Sequence, residues 1–196
     1  MTTAEIVASL IAALSFVVSC VTAYKTLLAR FSGKCGVSTR LILTHVDQTP
    51  SIGLACFFDN TGARPGVLDD LRLAVTHRQS GAKYLFFPQL MRNDYSIYAS
   101  YELQDWFPFS GISLSAQERI ERYVLFKPLY DRFIAAEGHY EARLEVRWYK
   151  SDKWQPIVPG LPFHLDQKVM TQWNDSNAPA IQVLSDDLLT RRDVLV

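Results

Sequence analysis

Residues 139–148 read HYEARLEVRW, with Tyr140, Ala142, Leu144, Val146 and Trp148 on one side of a two-residue repeat and His139, Glu141, Arg143, Glu145 and Arg147 on the other. Successive side chains of an extended chain point to opposite faces, so this stretch is a strand with one face in a core and one in water. A helix would scatter the same apolar residues around its circumference. The rhythm recurs upstream. Ile120, Arg122, Val124 and Phe126 alternate with Arg119, Glu121, Tyr123 and Leu125. That segment reads as a strand even though Ser115-Ala116-Gln117-Glu118 before it carries the letters of a helix capping box. Leu71, Leu73 and Val75 against Arg72, Ala74 and Thr76 mark another strand, ended by the polar turn Arg78-Gln79-Ser80-Gly81.

Working outward, Ile52 to Phe58 is a more continuous apolar run and reads as a fully buried strand. Val37 to Val46 alternates imperfectly, with Leu41 and Leu43 on one face and Ile42 and Val46 on the other. Between them and the 71–75 strand lies Asn60-Thr61-Gly62-Ala63-Arg64-Pro65-Gly66, which is turn chemistry. Tyr84 to Phe87 begins a further strand closed by Pro88, and Leu161 to Val169 supplies the last one. Leu129 to Ala136 is assigned one or two helical turns, and residues 89–110 are assigned no element. About seven short strands, separated by turns and without helical crossovers, specify an all-β antiparallel sandwich.

The segment Ala136-Glu137-Gly138-His139-Tyr140-Glu141-Ala142 resembles the entry to the penultimate strand of immunoglobulin-like domains. There a tyrosine two residues before a cysteine forms the tyrosine corner. Tyr140 matches the tyrosine, while Ala142 stands where the cysteine would be. The resemblance implies an immunoglobulin-like or fibronectin-III-like sandwich lacking the core disulfide. It implies no activity, because such sandwiches host many functions.

The other decisive stretch is Ile6 to Tyr24, IVASLIAALSFVVSCVTAY, which holds no charged residue. About 18 or more such residues in a helix suffice to cross a hydrocarbon core of roughly 30 Å. Residues 1–5 contain no Lys or Arg and no small-residue cleavage site follows, so the stretch reads as a retained single-pass anchor rather than a signal peptide. Lys25, Arg30 and Lys34 all follow it. By the positive-inside bias they put the N-terminus outside and the domain in the cytoplasm, and they are placed to meet anionic lipid. The alternative topology has the domain extracytoplasmic. Ala8, Ala12, Ser15, Ser19 and Ala23 repeat at steps of four and three, a stripe of small residues through which the helix is expected to form a homo-oligomer. The expected organisation is helix and flank over 1–31, a short linker over 32–36, the sandwich over 37–170, and a tail over 171–196 with a short helix begun by Ser185.

The first 34 residues hold three basic residues and one acidic, leaving 17 basic and 19 acidic of the chain's 20 and 20. A slightly acidic domain argues against a nucleic-acid partner recruited by bulk charge. Cys20, Cys35 and Cys56 have no metal-ligand spacing and read as free thiols, in keeping with a reducing compartment. His45, His77, His139 and His164 are scattered singly. No phosphate-binding loop, dinucleotide fingerprint, nucleophile elbow or HExxH pair occurs, so no catalytic, cofactor or metal residue is assigned. Tyr95, Tyr98, Tyr101, Trp106, Phe107 and Phe109 form the candidate surface for a protein partner, the competing reading being that they complete the core. The functional expectation is a non-enzymatic, membrane-anchored interaction protein. A signal-gated effector that oligomerises and disrupts the bilayer is the alternative, and an enzyme with an unrecognised site comes third.

Overall fold

The computed structural model describes residues 2–93, 106–129, 133–157 and 160–185. Helix α1 (Thr3–Ala23) runs through a π-helical turn (Tyr24–Leu28) toward β1 (Gly33–Val46), β2 (Thr49–Asn60), β3 (Gly66–His77) and β4 (Lys83–Arg92). There follow β5 (Phe107–Pro108), β6 (Ile112–Leu114), β7 (Arg119–Pro128), β8 (Gly138–Trp148), β9 (Gln155–Pro156), β10 (Leu161–Leu165), helix α2 (Gln167–Asn174) and β11 (Ile181–Leu184). Seven of these strands are five residues or longer; the short β5, β6, β9 and β11 are additions to their edges.

Among the described residues all pairings are antiparallel; the main path runs β10-β8-β3-β4-β7-β2-β1-β11, with β5, β6 and β9 pairing off it onto β4, β3 and β8. The path curls into two layers, β1, β2, β7 and part of β4 facing β3, β8 and β10, which is the strand distribution of an immunoglobulin-type sandwich. Strand β4 belongs to both layers. Its first residues, Lys83 to Phe86, pair with β3, and from Phe86 onward it pairs with β7. Pro88 therefore does not end the strand as expected from its missing N–H. It sits at a register shift between Pro88 and Leu90, an irregularity in the ladder of the kind where proline is tolerated.

The alternation at 139–148 is realised residue by residue: Tyr140, Ala142, Leu144 and Val146 are buried, while His139 and Arg143 are exposed. Tyr140 makes the corner that its sequence context implies. Its hydroxyl donates to the Ala136 carbonyl at 3.0 Å and accepts from the Ala136 N–H at 3.0 Å. Its ring stacks on Phe163 with centroids 5.4 Å apart. Burial pushes the phenol pKa above its ordinary value, so it stays protonated as a donor at neutral pH. Cys56 lies fully buried on β2, and Ala142 occupies the β8 position two residues past Tyr140, consistent with a core lacking the interlayer disulfide.

The strand-bearing region extends beyond the expected limits of 37–170. Residues 33–36, read as linker, are the first residues of β1, because Gly33 to Val37 pair with Asn60 to Cys56. Leu161 to Val169 is not one strand: Asp166 caps α2 by accepting the Val169 N–H at 2.7 Å, so β10 stops at Leu165. α2 plugs the end of the sandwich remote from α1 with Trp173, which is 1% exposed and donates its indole N–H to the Thr44 carbonyl. Ile181 to Leu184 of the tail then pair with β1, placing two more apolar side chains, Ile181 and Val183, against the core. Leu129 and Phe133 to Ala136 are not helical, residues 130–132 of the turn expected at 129–136 and residues 186–196 after Ser185 lying outside the described residues.

Replacing Tyr140 with Phe removes both corner hydrogen bonds and is expected to cost about 1–2 kcal/mol, read as a lower midpoint in a transition that stays cooperative. An unchanged midpoint would show that the corner is ornamental here.

Candidate functional site

From Thr3 to Leu28 the chain is a continuous 26-residue helix, long and apolar enough to cross a membrane by length and composition. Thr2 and Glu5 close a capping box at its start. No residue of it is buried, and Leu14, Phe16 and Val18 stand 66%, 70% and 63% exposed. Three of its hydroxyls are satisfied internally: Ser19 Oγ donates to Ser15 O, Thr22 Oγ1 to Val18 O and Thr26 Oγ1 to Thr22 O, each at 2.8 Å. Ala8, Ala12, Ser15, Ser19 and Ala23 lie on exposed helix, as does Lys25, with Arg30 and Lys34 exposed immediately after it.

What joins this helix to the sandwich is a built structure rather than a tether. Asn60, at the end of β2, is completely buried, and its amide uses every bond it has. Nδ2 donates to the carbonyls of Arg64 and Ser115 at 2.8 and 2.7 Å, while Oδ1 accepts the N–H groups of Gly62 and Ser32 at 3.0 and 3.3 Å. Two backbone bonds run alongside, Ala63 N–H to Ala29 O and Thr61 N–H to Ser32 O, both 3.0 Å. Phe31, three residues past the helix, packs edge-on against Trp148 of β8 with centroids 5.1 Å apart. The space is made by missing side chains. A Cβ on Gly66 would lie 2.1 Å from the Phe31 ring, and one on Gly62 would lie 2.0 Å from the Arg30 carbonyl oxygen. Sequence reading took Asn60 to Gly66 as an ordinary turn and placed Trp148 on the core face of its strand, without pairing it with Phe31; the buried-strand Asn with Gly two residues on was the available signal.

The turn that follows is tied to the same corner. Asn60 N–H donates to Glu118 O, and Gln117 N–H to Gly62 O. The Ser115 to Glu118 letters close a turn, not a helix: the Glu118 carboxylate accepts the Ser115 N–H, which together with the Ser115 side chain holds its pKa below the ordinary value.

Of the aromatic candidates, Tyr95, Tyr98 and Tyr101 lie outside the described residues, and the structure brings Trp106, Phe107 and Phe109 onto the sandwich. Phe107 and Phe109 are partly buried against the main core. Trp106 packs on a second apolar cluster outside the first layer, formed by Ile42, Ala55, Tyr123 and Leu125, which explains why Ile42 and Val46 faced away from Leu41 and Leu43. Its ring is 5.4 Å from that of Tyr123, and the Arg92 guanidinium lies 5.4 Å from it. Beside Trp106 runs a groove of about 400 Å³, lined among others by His45, Asp47, Gln89 and Leu125, a size within the range of ligand sites.

Burial pushes the Cys35 thiol up to about 12 and raises that of Cys56 well above its ordinary value, so neither carries a nucleophilic thiolate at neutral pH. His45 Nε2 meets the Trp173 carbonyl at 2.8 Å, and His77 bridges Ser80 Oγ at 2.7 Å and the Glu137 carbonyl at 3.3 Å. His139 and His164 lie opposite each other across β8 and β10. Among the described residues no three His, Cys, Asp or Glu side chains form a group able to hold a metal ion. On the outer face of β3 and β8, Arg72 pairs with Glu145 and Arg147 with Asp69 and Asp70, and both guanidiniums lie over Trp154.

No protein-family model matches the chain, and no curated protein matches it in sequence. Among solved structures it is similar to a family 123 glycoside hydrolase from Clostridium perfringens, 10% identical with a TM-score of 0.37, over 69% of this chain and 27% of that one. It is also similar to an uncharacterized beta-sandwich protein from Clostridium difficile 630, 12% identical with a TM-score of 0.33, over 67% of this chain and 92% of that one. The chain thus spans about a quarter of the glycoside hydrolase, and the likeness is one of fold alone.

Two outcomes follow from this geometry. Asn60→Ala leaves four backbone groups in three segments without their side-chain partner and is expected to lower stability by about 2–4 kcal/mol and to open the Arg30–Phe31 bond to trypsin; resistance equal to the parent's would refute the joint. Native protein at pH 8 should show Cys35 and Cys56 alkylated only after denaturation, since a thiol of pKa about 12 is thiolate in roughly one molecule in 10⁴; rapid native labelling of both would contradict their burial.

Proposed function

We propose that the chain is a single-pass membrane protein whose helix holds an immunoglobulin-like sandwich at the cytoplasmic face for assembly with protein partners. The observation that carries this reading is the bare helix: 26 mostly apolar residues with nothing of the sandwich packed on them. Exposing so much apolar surface to water is costly, and lipid or neighbouring helices relieve it. The internally bonded hydroxyls of Ser19, Thr22 and Thr26 make their passage through hydrocarbon cheaper. Lys25, Arg30 and Lys34 support the orientation with the N-terminus outside. The small-residue stripe supports assembly of copies through the helix, and the Trp106 groove is the proposed partner site on the sandwich. In this reading the protein is not an enzyme and does not bind nucleic acid.

The joint favours a second reading, a signal-gated membrane effector. A helix fastened by Asn60 and Phe31 turns with its sandwich, so a change sensed by the domain would be delivered to the helices in the bilayer. Dye entry on expression separates the two, because a passive adaptor leaves the membrane sealed.

Alkaline carbonate is expected to leave the protein in the membrane pellet, while Leu10→Arg with Leu14→Arg, at about 2.5–3.5 kcal/mol for each central charge, releases it; extraction of the parent protein would sink the anchor. Cross-linking in membranes should give a dimer that Ala12→Leu with Ser19→Leu removes, and an undiminished dimer band would exclude assembly through the stripe.

A further inference from the structure

The end of the sandwich from which the helix departs carries a surface that the basic flank alone does not define. Four segments meet there: 29–34 after the helix, 59–65 between β2 and β3, 115–118 before β7, and 149–153 after β8. They are brought together by Asn60, by the Phe31–Trp148 contact and by the bond from Tyr149 N–H to Val67 O. Together they hold Arg30, Lys34, Arg64, Lys150 and Lys153 against Asp59, Glu118 and Asp152, in a domain that is otherwise slightly acidic. Arg30, Lys34, Arg64, Lys150 and Lys153 are all exposed. Tyr149 projects from the same end at 61% exposure, with the Lys150 ammonium 5.5 Å from its ring. Among the described residues outside the helix, the other large apolar side chains so exposed are Leu129 and Ile134, which belong to the opposite end.

An exposed tyrosine flanked by lysines is the composition that settles at a bilayer surface, where the ring meets the headgroup region and the ammonium groups meet phosphates. The joint leaves no length of chain to lift this end away, because β1 begins five residues after the helical turn closes. We infer that the 61–65 and 149–153 turns, with Tyr149, Lys150, Lys153 and Arg64, dock onto the anionic phospholipid headgroups of the membrane that the helix enters, so that lipid charge sets how the sandwich stands on the bilayer. This rests on the membrane-spanning reading of α1. The two uses of positive charge are separable: Lys25 biases the helix's orientation, whereas the turns read the lipid.

The test is hydrogen exchange on the full chain reconstituted into vesicles of phosphatidylcholine alone and of phosphatidylcholine with phosphatidylglycerol, with carbonate resistance measured on both preparations. Amides of 61–64 and 149–153 should exchange several-fold more slowly on the anionic vesicles, about fivefold for each basic residue engaged, while the remote turn at 78–81 is unaffected. Lys150→Glu with Lys153→Glu should abolish that difference without moving the thermal midpoint, and Tyr149→Ser should reduce it. Equal exchange on both vesicles with the helix still carbonate-resistant would overturn the docking and leave the anchor intact. Loss of carbonate resistance in both would overturn the anchor and the docking together.

Discussion

A buried amide in a sandwich has to find four partners or it costs more than it gives, and Asn60 finds two in its own turn and two in segments distant in sequence. Ser32 brings in the chain arriving from the helix, Gly62 and Arg64 the turn into β3, and Ser115 the turn into β7. Satisfying that one side chain therefore fixes where α1 leaves the domain. Apolar packing completes the constraint. Phe31 fits against Trp148 only because Gly66 and Gly62 allow the backbone and ring to approach, so a helix with no contact of its own to the sandwich is nonetheless held at its base.

The opposite end is closed by a different device. Trp173 enters from α2, its indole N–H and its backbone carbonyl both engage the end of β1, and Asn174 pairs both ways with Ala135. Tyr140 pins the crossing from β7 to β8 there as well. The sandwich is thus sealed at one end by aromatic burial and fastened to the helix at the other. The path between the two layers is carried by β4, where Pro88 sits at the shift in pairing.

Much of this was legible in the residues. The two-residue rhythm at 139–148 and 119–126 specified strands with a wet face, Tyr140 marked the corner, and the uncharged run at 6–24 specified the helix. Leu41 and Ile42 were correctly placed on opposite faces, although what Ile42 packed against was not readable, because its cluster is assembled from β1, β2, β7 and the Trp106 segment. The short β11 carries too few residues for a pattern; its pairing with β1 is imposed by tertiary placement. Asn60 was legible as a turn residue and illegible as a hub, since its partners are set by which loops share an end of the fold. The groove beside Trp106 escaped for the same reason: its lining comes from β1, β4, β5 and β7.

A helix carried on such a joint behaves as an extension of the domain, whether its task is to hold the sandwich at a membrane or to respond to it. The most direct measurement is the distance between a spin label on the native, exposed Cys20 and one on Lys83→Cys in the full chain. A built joint predicts a single narrow distance distribution that broadens when Asn60 is changed to Ala. A distribution already broad in the parent protein would mean that the helix swings freely, and would contradict the account.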